Sequence, residues 1–395
     1  MKIIAINAGS SSLKFQLLEM PEETVIASGV VEKIGSEEAI FSIKFNGEKQ
    51  ELVQSIPNHS VAVALVLEGL IENKIISSID EIEGVGHRVV QGGEVFKESA
   101  VLDKITIAAI DSLSPLAPLH NPAHVTGIRE FKKVLPNVLQ LAVFDTTFHQ
   151  TMEEDAFLYA TPYEWYEEYG VRKYGFHGTS HQYVSQEANK MLNNENAKVI
   201  VCHIGNGVSI TAVDAGKSVD TSMGLTPLEG VPMGTRTGNI DPSILGLVAA
   251  REGKTLEELL DILNKKSGYL GVSGVSNDSR DISQAAKDGN HRAELAMRIQ
   301  AKRIADYIGS YYIRLKGLDA IAFTAGIGEN SGEIRKLIVD HLEVLGVKLD
   351  EELNNKRGIE GNIATANSKV KVLVIPTNEE VMIAREVFAK LQLNL

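Results

Sequence analysis

Asn7-Ala8-Gly9-Ser10-Ser11-Ser12 separates two apolar runs, residues 2–6 and 13–18, and His203-Ile204-Gly205-Asn206-Gly207 separates two more, residues 198–202 and 208–213. Each turn is built of small or polar residues, and each flanking run has the composition of a strand. Glycine lets backbone N–H groups converge on an anion without a Cβ in the way, and hydroxyls and amides add donors. A phosphate-gripping hairpin is therefore written twice, which predicts two related domains serving one polyphosphate.

Outward from the first hairpin, residues 2–53 alternate in period two, with turns at Pro21-Glu22-Glu23, Gly35-Ser36 and Asn46-Gly47, as in an antiparallel meander. A helix over 61–71, with His59 and Ser60 near its start, a strand over 83–90, helices over 105–113 and 123–134 and a strand over 138–144 follow. From residue 198 the order restarts. Strands are expected over 198–202, 208–213 and 217–220, and helices over 242–251, 256–264 and 291–315. A buried strand over 319–324 leads through Ala325-Gly326-Ile327-Gly328-Glu329-Asn330 into a helix, the arrangement that sets a helix N-terminus against a phosphate or ribose. The last strand, 370–375, ends at Pro376-Thr377-Asn378-Glu379-Glu380 and a closing helix. Strands followed by alternating helices and strands predict mixed sheets flanked by helices, an α/β class, with a boundary near 146–152.

At 395 residues, two domains are expected. The 39 Lys and Arg against 52 Asp and Glu give a net charge of -13, which argues against nucleic-acid or anionic-membrane partners. An anionic substrate must then be held by a few placed cations. The single Cys202 excludes an internal disulfide and reads as a small buried strand residue, fitting a reducing cytoplasm. The N-terminus opens into a strand without signal-peptide features, and 61–71 is too short to span a membrane.

Arg88, in Gly86-His87-Arg88-Val89-Val90-Gln91-Gly92-Gly93, and Arg236, in Gly234-Thr235-Arg236-Thr237-Gly238, are bounded by small residues and have room to point at a ligand. The planar guanidinium meets carboxylate or phosphate oxygens bidentately and keeps its charge. Asp241-Pro242 reads as a helix N-cap followed by Pro at the first helical position. His120, in Pro118-Leu119-His120-Asn121-Pro122, and His177, in Gly175-Phe176-His177-Gly178-Thr179-Ser180-His181, occupy turns. The His177/His181 spacing resembles a helical zinc pair, but Gly178 lies within it and no glutamate follows His177, so an imidazole donating to a phosphoryl group is the better reading. Asp145 ends a strand, where ligands of open α/β sheets collect, and Glu379 follows another strand end. A Mg²⁺ nucleotide would engage one or two such carboxylates.

These runs together resemble the acetate kinase family over the whole chain. The stretch Ile3-Ile4-Ala5-Ile6-Asn7-Ala8-Gly9-Ser10-Ser11-Ser12-Leu13-Lys14 looks like one family signature, and Val199-Ile200-Val201-Cys202-His203-Ile204-Gly205-Asn206-Gly207 like another. Residues 172–181 and 234–242 are family-like as well. The resemblance implies two duplicated ribonuclease H-like domains with an interdomain cleft, and a homodimer, and the cysteine content places it in the cytoplasm. The expected domains are 1–148, joined by a C-terminal helix 381–395, and 149–380.

By motif, the resemblance assigns Asn7 and Glu379 to Mg²⁺, with Mn²⁺ as the alternative ion. It assigns Lys14, His203, Ile204, Gly205, Asn206, Gly207, Asp278, Ser279, Arg280, Gly326, Ile327, Gly328, Glu329 and Asn330 to ATP or ADP. Arg88 would hold acetate or acetyl phosphate, and Asp145 would be essential to catalysis. His177 and Arg236 would stabilise the transition state. Val90, Leu119, His120, Phe176 and Pro227 are expected about the small acid, the four other than His120 as an apolar wall. The implied reaction is direct in-line transfer from ATP to acetate. A carboxylate is already ionised near neutral pH, so no base need activate it, and Asp145 is expected to be an orienting or metal-linked group rather than a proton acceptor. Propionate kinase would share these motifs and differ in pocket volume. A chaperone or filament would have no use for inward Arg88 and His177.

Overall fold

The structure, a computed structural model, describes residues 1–393. The chain forms two compact units, one joining Met1–Thr147 to the C-terminal segment from Asn378, the other spanning Phe148–Thr377. The first contains β1 (Lys2–Ala8), β2 (Ser12–Glu19), β3 (Thr24–Glu32), β4 (Ser36–Phe45), β5 (Glu48–Ile56), β6 (Ile82–Val89), β7 (Ala100–Val101) and β8 (Leu139–Phe144), in the order β5-β4-β3-β2-β1-β6-β8-β7. The second contains β9 (Lys198–Ile204), β10 (Val208–Asp214), β11 (Lys217–Thr221), β12 (Ala320–Thr324), β13 (Gly361–Asn362) and β14 (Lys371–Val374), in the order β11-β10-β9-β12-β14-β13.

The wiring repeats. β1 runs antiparallel to β2 and parallel to β6, which is parallel to β8. β9 likewise runs antiparallel to β10 and parallel to β12, which is parallel to β14. Two mixed sheets flanked by helices, the class expected from the duplicated hairpins, result. The central strands are almost wholly apolar because helices cover both faces: Val199 to Cys202 are each 0 % exposed. Ile4, Ile6, Phe15, Val66 and Phe131 belong to one core of the first unit. Cys202 is buried in β9, and burial pushes its thiol pKa up.

Gly84 and Gly86 admit the helix Glu379–Leu393 against β6. A Cβ at Gly84 would lie 2.5 Å from Val387 Cγ1, and one at Gly86 would lie 2.3 Å from Ile383 Cγ2. Only glycine permits that approach. Positions 394 and 395 of the expected C-terminal helix lie outside the described residues.

Local differences from the sequence reading have local causes. The helix expected from 242 begins at Ser243, and Asp241 turns back to accept the Ser243 N–H at 2.8 Å. The helix Gly178–Leu192 is not expected from the sequence, because the face it buries carries polar Ser180, His181, Ser185 and Asn189 beside Val184 and Ala188. Among the described residues no helix is long and apolar enough to cross a membrane.

Candidate functional site

In the first unit, β6 and β8 are parallel neighbours, so their carboxyl ends emerge side by side. The Asp145 N–H donates to the Val89 carbonyl at 2.9 Å. Arg88 Nε donates to Asp145 Oδ1 at 2.9 Å and Nη2 to Oδ2 at 2.7 Å. Burial works against the Arg88 charge, but the Asp145 carboxylate outweighs it and holds the guanidinium pKa above its ordinary value. Glu379 starts the last helix and is half-buried. Burial pushes its carboxyl up to about 6, with Arg88 opposing and the Asp145 charge assisting.

The hairpin at Asn7 is braced from behind. His124 Nδ1 donates to the Ala8 carbonyl and His59 Nε2 to the Gly9 carbonyl, each at 2.7 Å. With those carbonyls occupied inward, the turn is pinned through its acceptors. Asn7 pairs with Lys14 across β1 and β2, and Lys14 is exposed. Val90 is buried and His120 stands at the start of helix Asn121–Val134. Leu119, expected in an apolar wall, is 70 % exposed in the turn before that helix.

In the second unit, His177 takes a left-handed backbone, φ 54° and ψ 23°, and begins the helix Gly178–Leu192. Its ring stacks on His203, centroids 4.1 Å apart at 24°. A Cβ at Gly207 would sit 3.4 Å from both His177 Cε1 and Arg236 Nη2, so imidazole and guanidinium converge over the glycine of the second hairpin. Arg236 Nη1 donates to the Pro227 carbonyl at 3.0 Å, and burial lowers the guanidinium pKa. Among the described residues Arg236 has no carboxylate partner. Phe176 is buried, and its carbonyl receives the His149 Nε2–H at 2.9 Å.

The same unit holds a cavity of about 930 Å³ lined by Gly205, Asn206, Asp278, Ser279, Arg280, Gly326, Ile327 and Asn330 among others. The volume suits a nucleotide. Asp278 caps helix Ser279–Lys287 and binds Arg280 Nε and Nη2 at 3.0 and 2.6 Å, which holds its pKa down at about 2. Glu329, expected to face ATP, instead turns its Oε1 inward to accept the Ala325 and Thr377 N–H groups, each at 2.9 Å. Ala325 needs that brace, having a φ of 65° without being glycine.

Residues that the sequence motifs did not single out also line the cavity, among them Asn277, Gln284, Lys287, Ser331 and Arg357. Arg335, 1 % exposed, donates Nη1 to the Gly328 and Glu329 carbonyls at 2.8 and 3.0 Å, and Nε and Nη2 to Asn354 at 2.9 and 2.8 Å. Its spacing of seven residues from Gly328 carries no local signal. Among the described residues no group of three or more His, Cys, Asp or Glu side chains could hold a metal ion.

Residues 2–385 match the acetokinase family. The acetate kinase of Acholeplasma laidlawii (strain PG-8A) is 64 % identical over 388 residues, 98 % of each chain. That of Anoxybacillus flavithermus (strain DSM 21510 / WK1) is 60 % identical over 388 residues, also 98 % of each. The crystal structure of Porphyromonas gingivalis acetate kinase is similar at TM-score 0.94 and 45 % identity, with 99 % of each chain covered. A propionate kinase from Francisella tularensis subsp. tularensis SCHU S4 follows at 0.93 and 43 %, with 98 % of this chain and 99 % of that one covered.

Proposed function

The chain belongs to the acetokinase family, and from that premise we infer that it is an acetate kinase, moving the terminal phosphoryl group of ATP reversibly onto the acetate carboxylate. In this reading Arg88 of the first unit takes the acid, and the second unit supplies most of the residues assigned to the nucleotide. The carrying observation is Arg236: partly buried, without a carboxylate partner among the described residues, and beside His177 over Gly207. A desolvated guanidinium with no counter-ion is poised for an anion. Charge on the transferring phosphoryl oxygens would satisfy it, and positioning with electrostatic stabilisation supplies most catalysis of this class.

Acetate needs no base, and Asp145 is spent on Arg88 through both oxygens. Asp145 therefore orients the guanidinium that receives the acid. Mg²⁺, or Mn²⁺ in its place, is assigned to Glu379 and Asn7: burial, assisted by the Asp145 charge, makes the Glu379 carboxylate costly to ionise and raises its pKa to about 6, and a bound cation would offset that cost. Magnesium ordinarily takes only one or two protein carboxylates, with phosphate oxygens and water. When bound it neutralises phosphate charge. Lys14, His203 to Gly207, Asp278 to Arg280 and Gly326 to Asn330 are assigned to ATP, Glu329 through the loop backbone it braces. Exposed Ile244, Leu247 and Leu256 on the helices Ser243–Glu252 and Leu256–Lys265 support the expected homodimer, which sedimentation would register as twice the chain mass.

Similarity to a propionate kinase keeps a three-carbon acid as the second reading. Incubation with Mg-ATP, hydroxylamine and either acid decides between them. Acyl hydroxamate should form with the higher kcat/KM for acetate; a preference for propionate, or no hydroxamate from either, would overturn the assignment.

A further inference from the structure

His181 lies one turn beyond His177 on the helix Gly178–Leu192 and is 0 % exposed. Its Nε2 is 2.6 Å from Ser209 Oγ, and its Nδ1 is buried with no hydrogen-bond partner among the described residues. Ser209, on β10 and also 0 % exposed, has the same Oγ 2.9 Å from His177 Nδ1. One hydroxyl therefore sits between two imidazoles.

The proton count follows from what each atom can accept. Burial, with His149 and His203 nearby, drives the His181 pKa well below its usual value, so this ring is neutral and carries one proton. On Nδ1 that proton would be a buried donor with nothing to receive it, and orphaned interior N–H groups are rarer than orphaned acceptors. It sits on Nε2 and is donated to Ser209 Oγ. The Ser209 hydrogen is then directed to the other nitrogen in reach, His177 Nδ1. An Nδ1 that accepts carries no proton, which leaves the His177 proton on Nε2.

We propose that Ser209 and His181 are positioning residues that lock His177 in its Nε2–H tautomer, so that a hydrogen-bond donor is presented to the phosphoryl oxygens. The proposal rests on the reading of His177 as a group that stabilises the transferring phosphoryl. Phosphoryl oxygens only accept, so the opposite tautomer would turn a lone pair towards them. The left-handed backbone of His177 and its stack on His203 fix the ring plane. The hydroxyl then fixes which edge carries the proton. Protonating His177 would aim a second donor at Ser209 Oγ and leave the serine hydrogen without its acceptor.

The test is long-range proton–nitrogen correlation on the full chain labelled with ¹⁵N-histidine, with signals assigned by their loss in His177→Gln and His181→Gln. Both rings should carry the proton on Nε2 and show a bare Nδ1. In Ser209→Ala the His177 signals should collapse towards a tautomer mixture. Its kcat should fall about tenfold, less than the 10²–10³ of a donor lost outright, with KM for both substrates within about twofold and recovery in Ser209→Thr. A proton on His177 Nδ1 in the unaltered protein, or an unchanged His177 tautomer in Ser209→Ala, overturns the relay. Should Ser209→Ala fail to fold, the spectrum of the unaltered protein decides alone. Full kcat in His177→Ala would sink the catalytic reading of His177, while the spectrum still judges the relay independently.

Discussion

Arg88 and Asp145 meet through two parallel hydrogen bonds, Nε to Oδ1 at 2.9 Å and Nη2 to Oδ2 at 2.7 Å, although 57 residues separate them. The Asp145 side chain is 3 % exposed and that of Arg88 is 22 % exposed, so the pair is shielded on one side and open on the other. Asp145→Asn would keep the shape and lose the charge and one acceptor. It should cost about 2 kcal/mol in urea unfolding, below the roughly 3–5 of a fully buried pair, and about a hundredfold in kcat/KM for acetate. KM for ATP should not move. Retained acetate efficiency in a stable Asp145→Asn protein would remove Asp145 from the orienting role.

Arg236 makes the opposite prediction about stability. Its charge is desolvated and carries no acid partner among the described residues, so Arg236→Met should leave the melting temperature unchanged or raise it. Activity should fall by about 10²–10³ in kcat. Calorimetry and initial rates on one preparation check both, and a large loss of melting temperature would show that the guanidinium is structural.

Among the described residues Arg335 braces the loop 325–330 through carbonyls and has no charge partner. Arg335→Met would leave the Gly328, Glu329 and Asn354 acceptors unpaired in the interior, at about 3 kcal/mol. KM for ATP should rise while kcat at saturation changes little. A raised KM for acetate alone would contradict this placement.

Two buried histidines set an acid limit on stability. Burial lowers the His87 pKa to about 4, and burial with the Arg88 charge lowers that of His124 to about 3, from the usual 6.5. Below pH 6.5 the unfolded chain binds protons that these rings refuse when folded. Their stabilisation is therefore complete above pH 6.5 and is lost as pH falls towards 4 and then 3. For His87 the full drop corresponds to roughly 3 kcal/mol. His87→Gln should flatten part of the slope of unfolding free energy between pH 6.5 and 4, and an unaltered slope would discard the assignment.

Val90 is buried two residues beyond Arg88. Val90→Ala should shift the kcat/KM ratio towards propionate by about 1–3 kcal/mol, the worth of a methylene in an apolar pocket. Competition between the two acids measures it; no shift would exclude Val90 from the acid pocket.

The sequence by itself determined what is local. A period-two run broken by Asn7-Ala8-Gly9-Ser10-Ser11-Ser12 or by His203-Ile204-Gly205-Asn206-Gly207 can do little but form a hairpin, because side-chain alternation and glycine freedom act within a few residues. The repeat of that pattern announced the repeated sheet. Tertiary structure alone decided what each polar group meets. Arg88 finds Asp145 because β6 and β8 lie parallel, and Gly84 and Gly86 are explained only by Val387 and Ile383 across the chain. Ser209 joins His177 to His181 only because β10 brings its hydroxyl beneath the helix that follows His177. Glu329 shows the cost of reading a motif without its partners: its neighbours line the cavity, but its own carboxylate is drawn to the backbone of a strained turn. Hydrogen-bond partners and proton positions depend on atoms distant in sequence, and burial makes those choices obligatory.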